Sequence, residues 1–161
     1  RKEKFDNMTY CAYFKIKYHL ADGSFVPYAK SYDFWKAMIQ KVSRKATEFE
    51  LRCWEDEVAA IETGEKFGKR VDNFETKEIV YQGKLSKEFI TEILNNYLTG
   101  DERLKWFSLF LKKDDEIIFF SEHYGTEIVI PHINDEEIDA VKKYPELFQE
   151  IDFVHIWDEN I

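Results

Sequence analysis

Between residues 9 and 20 apolar and polar side chains alternate. Tyr10, Ala12, Phe14, Ile16, Tyr18 and Leu20 fall on one face; Cys11, Tyr13, Lys15, Lys17 and His19 fall on the other. A period of two predicts a half-buried strand. Asp22 and Gly23 predict a hairpin turn, because a type I′ turn needs positive φ at both central positions. Residues 24–29 then form the return strand. From Ser31 the period lengthens. Phe34, Trp35, Met38, Ile39 and Val42 recur at spacings of one, three and four, which predicts a helix capped by Ser31 and running to Ala46.

The pattern then returns to strands. Residues 47–54 predict one strand, Glu55, Asp56 and Glu57 an acidic turn, and residues 58–61 its return. Residues 64–73, with Gly64 and Gly68, read as a polar loop, and residues 74–85 as another strand. Ser86 predicts a helix cap, Phe89, Ile90, Ile93, Leu94, Tyr97 and Leu98 its apolar stripe, and Gly100 its stop. Residues 104–111 and 117–120 predict a hairpin around Asp114 and Asp115. Their apolar residues on both faces predict central strands covered on each side. Tyr124 and Gly125 turn the chain into a strand over 127–130. Asn134 and Glu137 form a capping box that opens a helix to about Tyr144. Pro145 restarts it, residues 147–151 form a short turn, and residues 152–157 are an edge strand.

Two stretches echo one another. Glu78, Ile79 and Val80 are matched by Glu127, Ile128 and Val129, and Leu85 and Ser86 by Ile133 and Asn134. The reading is an internal ββ-β-α repeat over 47–100 and 104–151, with a degenerate copy at 9–46. The predicted class is α+β: a mainly antiparallel, curved sheet of about nine strands, three helices on one face, and a single domain over 1–161.

Composition agrees with one such domain. The chain has 161 residues, 44% of them hydrophobic, with 14 Phe, 9 Tyr and 4 Trp for the core. The formal net charge of −9 repels nucleic acid and anionic lipid and favours a basic partner. No apolar run approaches the ~20 residues that span a bilayer. The charged first residues lack the apolar stretch of a signal peptide. Cys11 and Cys53 read as buried free thiols of a reducing cytoplasm.

Candidate chemistry is sparse. No G-x-S-x-G elbow or phosphate-binding glycine loop is present; the spacing around Gly64, Gly68 and Lys69 is wrong for one. His123 and His132 bracket one strand, roughly 25–30 Å apart if extended, too far to share a metal. Neither metal nor cofactor is expected. Lys15 and Lys17 read as the lysines that blunt an exposed strand, in preference to a nucleic-acid platform.

The acids carry more information. Glu55, Asp56 and Glu57 occupy the turn of the first repeat, and Asp114, Asp115 and Glu116 that of the second, so both are expected at equivalent ends of the sheet. Asp135 and Glu136 extend the acidic set. Trp54, Tyr124 and Trp157 are the candidate aromatic anchors. The expected function is a non-enzymatic, acidic interaction module that neutralises a basic protein, as an immunity protein or inhibitor does. The alternatives are an enzyme or small-molecule binder with a pocket between sheet and helices, and a nucleic-acid mimic with carboxylates spaced like phosphates.

Overall fold

The computed structural model describes residues 8–160. Along them run β1 (Thr9–Ile16), β2 (His19–Leu20), β3 (Pro27–Tyr28), α1 (Asp33–Val42), β4 (Glu48–Cys53), α2 (Val58–Phe67), β5 (Lys69–Val71) and β6 (Ile79–Lys84). There follow α3 (Lys87–Asn95), β7 (Ser108–Lys113), β8 (Glu116–Glu122), β9 (Glu127–Asn134), α4 (Ile138–Lys142), α5 (Tyr144–Leu147) and β10 (Ile151–Asp158). The class is α+β. Eight strands make one open antiparallel sheet in the order β10-β1-β9-β8-β7-β4-β6-β5, and β2 and β3 pair separately.

Every helix packs on the same face. Trp35 of α1 donates its indole N–H to Ser121 Oγ of β8 at 2.9 Å. Phe89 of α3 stacks on Phe49 of β4 with ring centroids 4.0 Å apart, and Tyr144 of α5 meets Phe14 of β1 at 5.8 Å. Ala60 of α2 and Val141 of α4 belong to the same buried cluster as Ala12, Leu51, Leu109, Phe119 and Ile128. The stripe Phe34, Trp35, Met38, Ile39 and Val42 is buried as its spacing predicts. Ser86 Oγ caps α3 by accepting from the Phe89 amide. The reciprocal bonds of the capping box form, Glu137 N donating to Asn134 Oδ1 and Asn134 N to Glu137 Oε1, but they close the turn ahead of α4, whose N-cap residue is Glu137.

Several expectations are corrected. Residues 58–61 are the first turn of α2 rather than a strand, and Gly64 lies inside that helix rather than in a loop. Glu57 Oε1 accepts from the Trp54 amide, closing the turn that starts α2. The stretch around 47–100 therefore reads strand, helix, two strands and helix, whereas the second begins with a true hairpin, so the two do not share an order of elements. Gly100 does not stop α3, which ends at Asn95. Tyr32, not Ser31, is the N-cap residue of α1; Ser31 Oγ accepts from the Asp33 amide just outside it. The strand expected over 9–20 breaks after Ile16. The expected lysine-blunted exposed strand is interior, because β1 lies between β10 and β9. β7 and β8 are central, but helices cover only one of their faces.

Gly64 shows what the helix face demands. A Cβ there would collide with the ring of Tyr81, which is 1% exposed and has no room to retreat. Mid-helix glycine normally costs about 1 kcal/mol against alanine. Gly64→Ala is nonetheless expected to destabilise by about 2 kcal/mol, because overpacking outweighs the propensity gain. A denaturant midpoint at or above that of the parent chain would contradict this packing. Cys11 and Cys53 are buried free thiols. Burial pushes Cys11 up to about 11 and Cys53 up to about 12, which leaves both protonated and unreactive at neutral pH.

Candidate functional site

The helix-free face of the sheet can be read from the strand register. Opposite residues in neighbouring strands give one continuous row: His155, Tyr13, Val129, Phe120, Phe110, Glu50, Gln82 and Lys69. A flanking row holds Trp157 beside Cys11. The other holds Phe153, Lys15, Glu127 and Glu122, with Arg52 and Val80 further across. The face thus divides. From β10 to β7 the central row is aromatic and aliphatic, with Lys15, Glu127 and Glu122 in the row along one side of it; from β4 to β5 the face is charged.

The aromatic half measures about 19 Å across five strands and about 13 Å along them, given standard strand spacing and rise. Phe153 is 48% exposed and Trp157 40%; Tyr13, Val129 and Phe120 are half-buried and His155 is exposed. The rings brace one another. Tyr13 and Phe153 lie 6.3 Å apart, His155 and Trp157 5.5 Å, and Phe110 and Phe120 5.6 Å edge to face. Such rings lose little side-chain entropy when a partner covers them.

The charged half is internally satisfied. Glu50 is 6% exposed and accepts from Arg52 Nε at 2.9 Å, Gln82 Nε2 at 2.7 Å and Lys112 Nζ at 3.3 Å. Burial opposes its charge, but those hydrogen bonds and the Arg52 and Lys112 cations outweigh burial and hold its carboxyl below the ordinary value. Arg52 also reaches Glu78 and lies over the Phe110 ring. This network leaves few free groups for a ligand.

Along one side of the aromatic half, Glu122 and Glu127 face each other across β8 and β9. Burial, more than the Glu127 charge, raises the Glu122 carboxyl above its ordinary range. Its contribution to stability is therefore full below the unfolded pKa and is lost as pH rises through the folded one. Glu122→Gln is expected to stabilise the protein at neutral pH by about 0.5 kcal/mol. The gain should vanish in melts recorded at acid pH; an equal gain at both would show that the ionised, partly buried carboxylate is not its cause.

The sequence-derived acids are separated rather than gathered. β4 and β7 are antiparallel, with Arg52 opposite Ser108 and Glu48 opposite Lys112. Glu55, Asp56 and Glu57 therefore lie at one end of the sheet and Asp114, Asp115 and Glu116 at the other. The expectation of equivalent ends fails because the two acidic stretches are not equivalent turns: the first leads into α2, whereas the second closes the β7–β8 hairpin. Asp114 and Asp115 both have positive φ and form the tight turn. Asp135 and Glu136 join that same end: Tyr10 Oη donates to Asp135 Oδ1 at 3.0 Å, and His132 bridges Glu116 at 3.3 Å and Glu159 at 3.2 Å. Trp157 borders this acidic end on the open face. Of the other two anchors, Tyr124 is 7% exposed and unavailable, and Trp54 is half-buried against Phe107 at 5.0 Å.

The Glu57 end holds a cleft of about 500 Å³, lined by Trp54, Asp56, Glu57, Arg103 and Tyr124 among others. Burial, more than any other influence, raises the Glu57 carboxyl. Burial and then Glu57 raise the Tyr124 hydroxyl. Beside the cleft His123 and Tyr124 both hold positive φ, a conformation costly for non-glycine residues. Among the described residues no group of three or more His, Cys, Asp or Glu side chains is placed to hold a metal, and no helix is long and apolar enough to cross a membrane. Sequence reasoning missed the aromatic row because its members come from five separate strands. The only local signal was the aromatic side of residues 153–157.

No protein-family model, curated protein or solved structure matches the chain.

Proposed function

We propose that the protein is an interaction module that docks a basic protein partner in the cytoplasm, in the manner of an immunity protein or inhibitor. The observation that carries this reading is the aromatic half of the helix-free sheet face, where Phe153, His155 and Trp157 are exposed and Lys15, Glu127 and Glu122 flank the rings. Braced rings at the centre with charges at the rim are the anatomy of a protein interface. The end of the sheet next to Trp157 carries Glu116, Asp135, Glu136 and Glu159, of which Glu116 and Glu159 pair with His132. With a chain charge of −9, it steers a basic surface toward the rings. Carboxylates split between two ends make no phosphate-like row, which weighs against mimicry of nucleic acid.

The test is capture from a lysate of the native host, eluted on a salt gradient. A stoichiometric basic protein released as salt rises is the expected result. Reversing Asp114, Asp115 and Glu116 to lysine should slow its association about tenfold at low salt. Association that ignores both salt and the reversal would overturn the electrostatic part of the reading.

A second reading rests on the cleft beside Tyr124. Strained backbone and a raised carboxyl in one concavity favour a small-molecule site with Glu57 as its proton-exchanging group. Ligand-induced stabilisation in a thermal-shift screen, abolished by Glu57→Gln, would support it. Hits indifferent to that substitution would remove it.

A further inference from the structure

The two edges of the sheet are built differently. β5 is three residues long and carries Lys69 and Arg70. Short length and lysine are common protections against unwanted strand pairing. β10 is eight residues long, Ile-Asp-Phe-Val-His-Ile-Trp-Asp, with no lysine, arginine or proline. Its ladder with β1 is regular from Asp158 to Phe153, and the one irregularity lies at the far end, beside Ile16. Among the described residues it pairs on one side only.

The ladder fixes which amides face outward. Glu159 N–H donates to Thr9 O at 3.1 Å. Alternation along an antiparallel pair then turns the backbone groups of Trp157, His155 and Phe153 toward β1, and those of Val154, Ile156 and Asp158 away from the sheet. The outward edge therefore offers donors and acceptors over three alternate residues.

Charge selects the occupant. Glu150, Asp152, Asp158 and Glu159 lie along or beside this strand and no cation interrupts it. A second copy paired antiparallel about His155 would set Asp152 opposite Asp158 of that copy at both ends, and like charges directly opposite are unfavourable. A strand bearing lysine or arginine at those positions meets the reverse situation.

Resting on the docking reading above, we propose that β10 receives an extended, basic segment of the partner as a ninth strand. Backbone hydrogen bonds to Val154, Ile156 and Asp158 would supply affinity. Side chains on the open-face side would lie beside Phe153, His155 and Trp157, continuing the aromatic half of the sheet. The other side would lie near α5, where Leu147 is 66% exposed. This is the strand-addition mode of peptide recognition, with main-chain bonds for affinity and alternate side chains for specificity.

The probe is a capped ten-residue peptide alternating lysine with valine and threonine. Amide hydrogen exchange is read by NMR on the intact chain. The expected result is about tenfold slower exchange at Val154, Ile156 and Asp158 with little change at Phe153, His155 and Trp157. The effect should be lost for the same peptide N-methylated at alternate amides, and for an acidic counterpart. Ile156→Pro removes one outward N–H without breaking the ladder to β1, so it should abolish the protection while β1 amides stay slow. If that variant unfolds, the N-methylated peptide carries the comparison. No protection up to millimolar peptide, or outward amides already slow in the free protein, overturns the proposal. Shifts confined to the Phe120, Phe153 and Trp157 side chains would overturn strand addition and leave the docking face standing. Failure of the captured partner to touch that face would sink both.

Discussion

Trp35→Ala is expected to remove about 3–5 kcal/mol of stability, a large share of the total for a domain of this size. Trp35 is fully buried, stacked between Tyr97 at 5.8 Å and Trp106 at 5.9 Å. Its indole N–H is also the donor to Ser121 Oγ, a hydroxyl with no exposure. Truncation therefore opens a cavity under the centre of the sheet and leaves a buried hydroxyl without its donor. Trp35→Phe keeps much of the volume and isolates the second cost, about 1–3 kcal/mol. Trp106 provides the contrast. Its indole N–H is buried with no acceptor among the described residues, so Trp106→Phe loses no hydrogen bond and should cost less than Trp35→Phe. Urea titrations with unchanged m-values would measure all three. Equal losses for the two Trp→Phe variants would contradict the role given to the Ser121 hydrogen bond.

The second large effect belongs to the helix-free face. Glu50→Ala should cost about 3 kcal/mol, because it removes the buried carboxylate that accepts from Arg52, Lys112 and Gln82 together. Glu50→Leu should recover part of that loss by packing beside Phe110. The pH dependence follows from the direction of the shift. The Glu50 carboxyl lies below its ordinary value of 4.5. Its stabilisation is thus fully present above that value and is lost as pH falls through the lower, folded pKa. Glu137, held down chiefly through Lys45 against the effect of burial, acts in the same sense. Glu57 and Glu122 are raised, so they favour the folded state more as pH falls. The parent chain should therefore lose little stability on entering the weakly acid range and fall steeply below it. Glu50→Ala should flatten the steep part. A variant with the parent's acid profile would show that Glu50 is not the group responsible.

How much of this was legible in the chain depended on distance along it. The α1 stripe, the Ser86 cap, the reciprocal bonds of Asn134 and Glu137, the Asp114 and Asp115 turn and the final edge strand are local devices, and they appear where the pattern placed them. α2 was missed because Val58 and Ile61 look like strand residues and Gly64 looks like a breaker. Its real constraint is the Tyr81 ring, which arrives from another strand. The position of the acids failed for a related reason. Repetition of a short motif does not reveal that the first acidic stretch leads into α2 while the second closes the β7–β8 hairpin, so stretches that match in sequence part in space. The aromatic face was the least legible feature. Phe120 and Val129 meet through the local β8–β9 pairing, but Tyr13 and His155 join them only through two pairings of long sequence separation. Trp157 alone was picked out, as one aromatic in an acidic chain.

The measurement that bears most directly on the docking face is the affinity of the salt-eluted partner for the double variant Phe153→Ser, Trp157→Ser. Both side chains are exposed, so the fold should survive, which an unchanged melting temperature would establish. The account predicts at least a hundredfold weaker binding, about 2.7 kcal/mol, carried mainly by faster dissociation. Binding equal to that of the parent chain, with the fold intact, would contradict the claim that the helix-free aromatic face is where the partner docks.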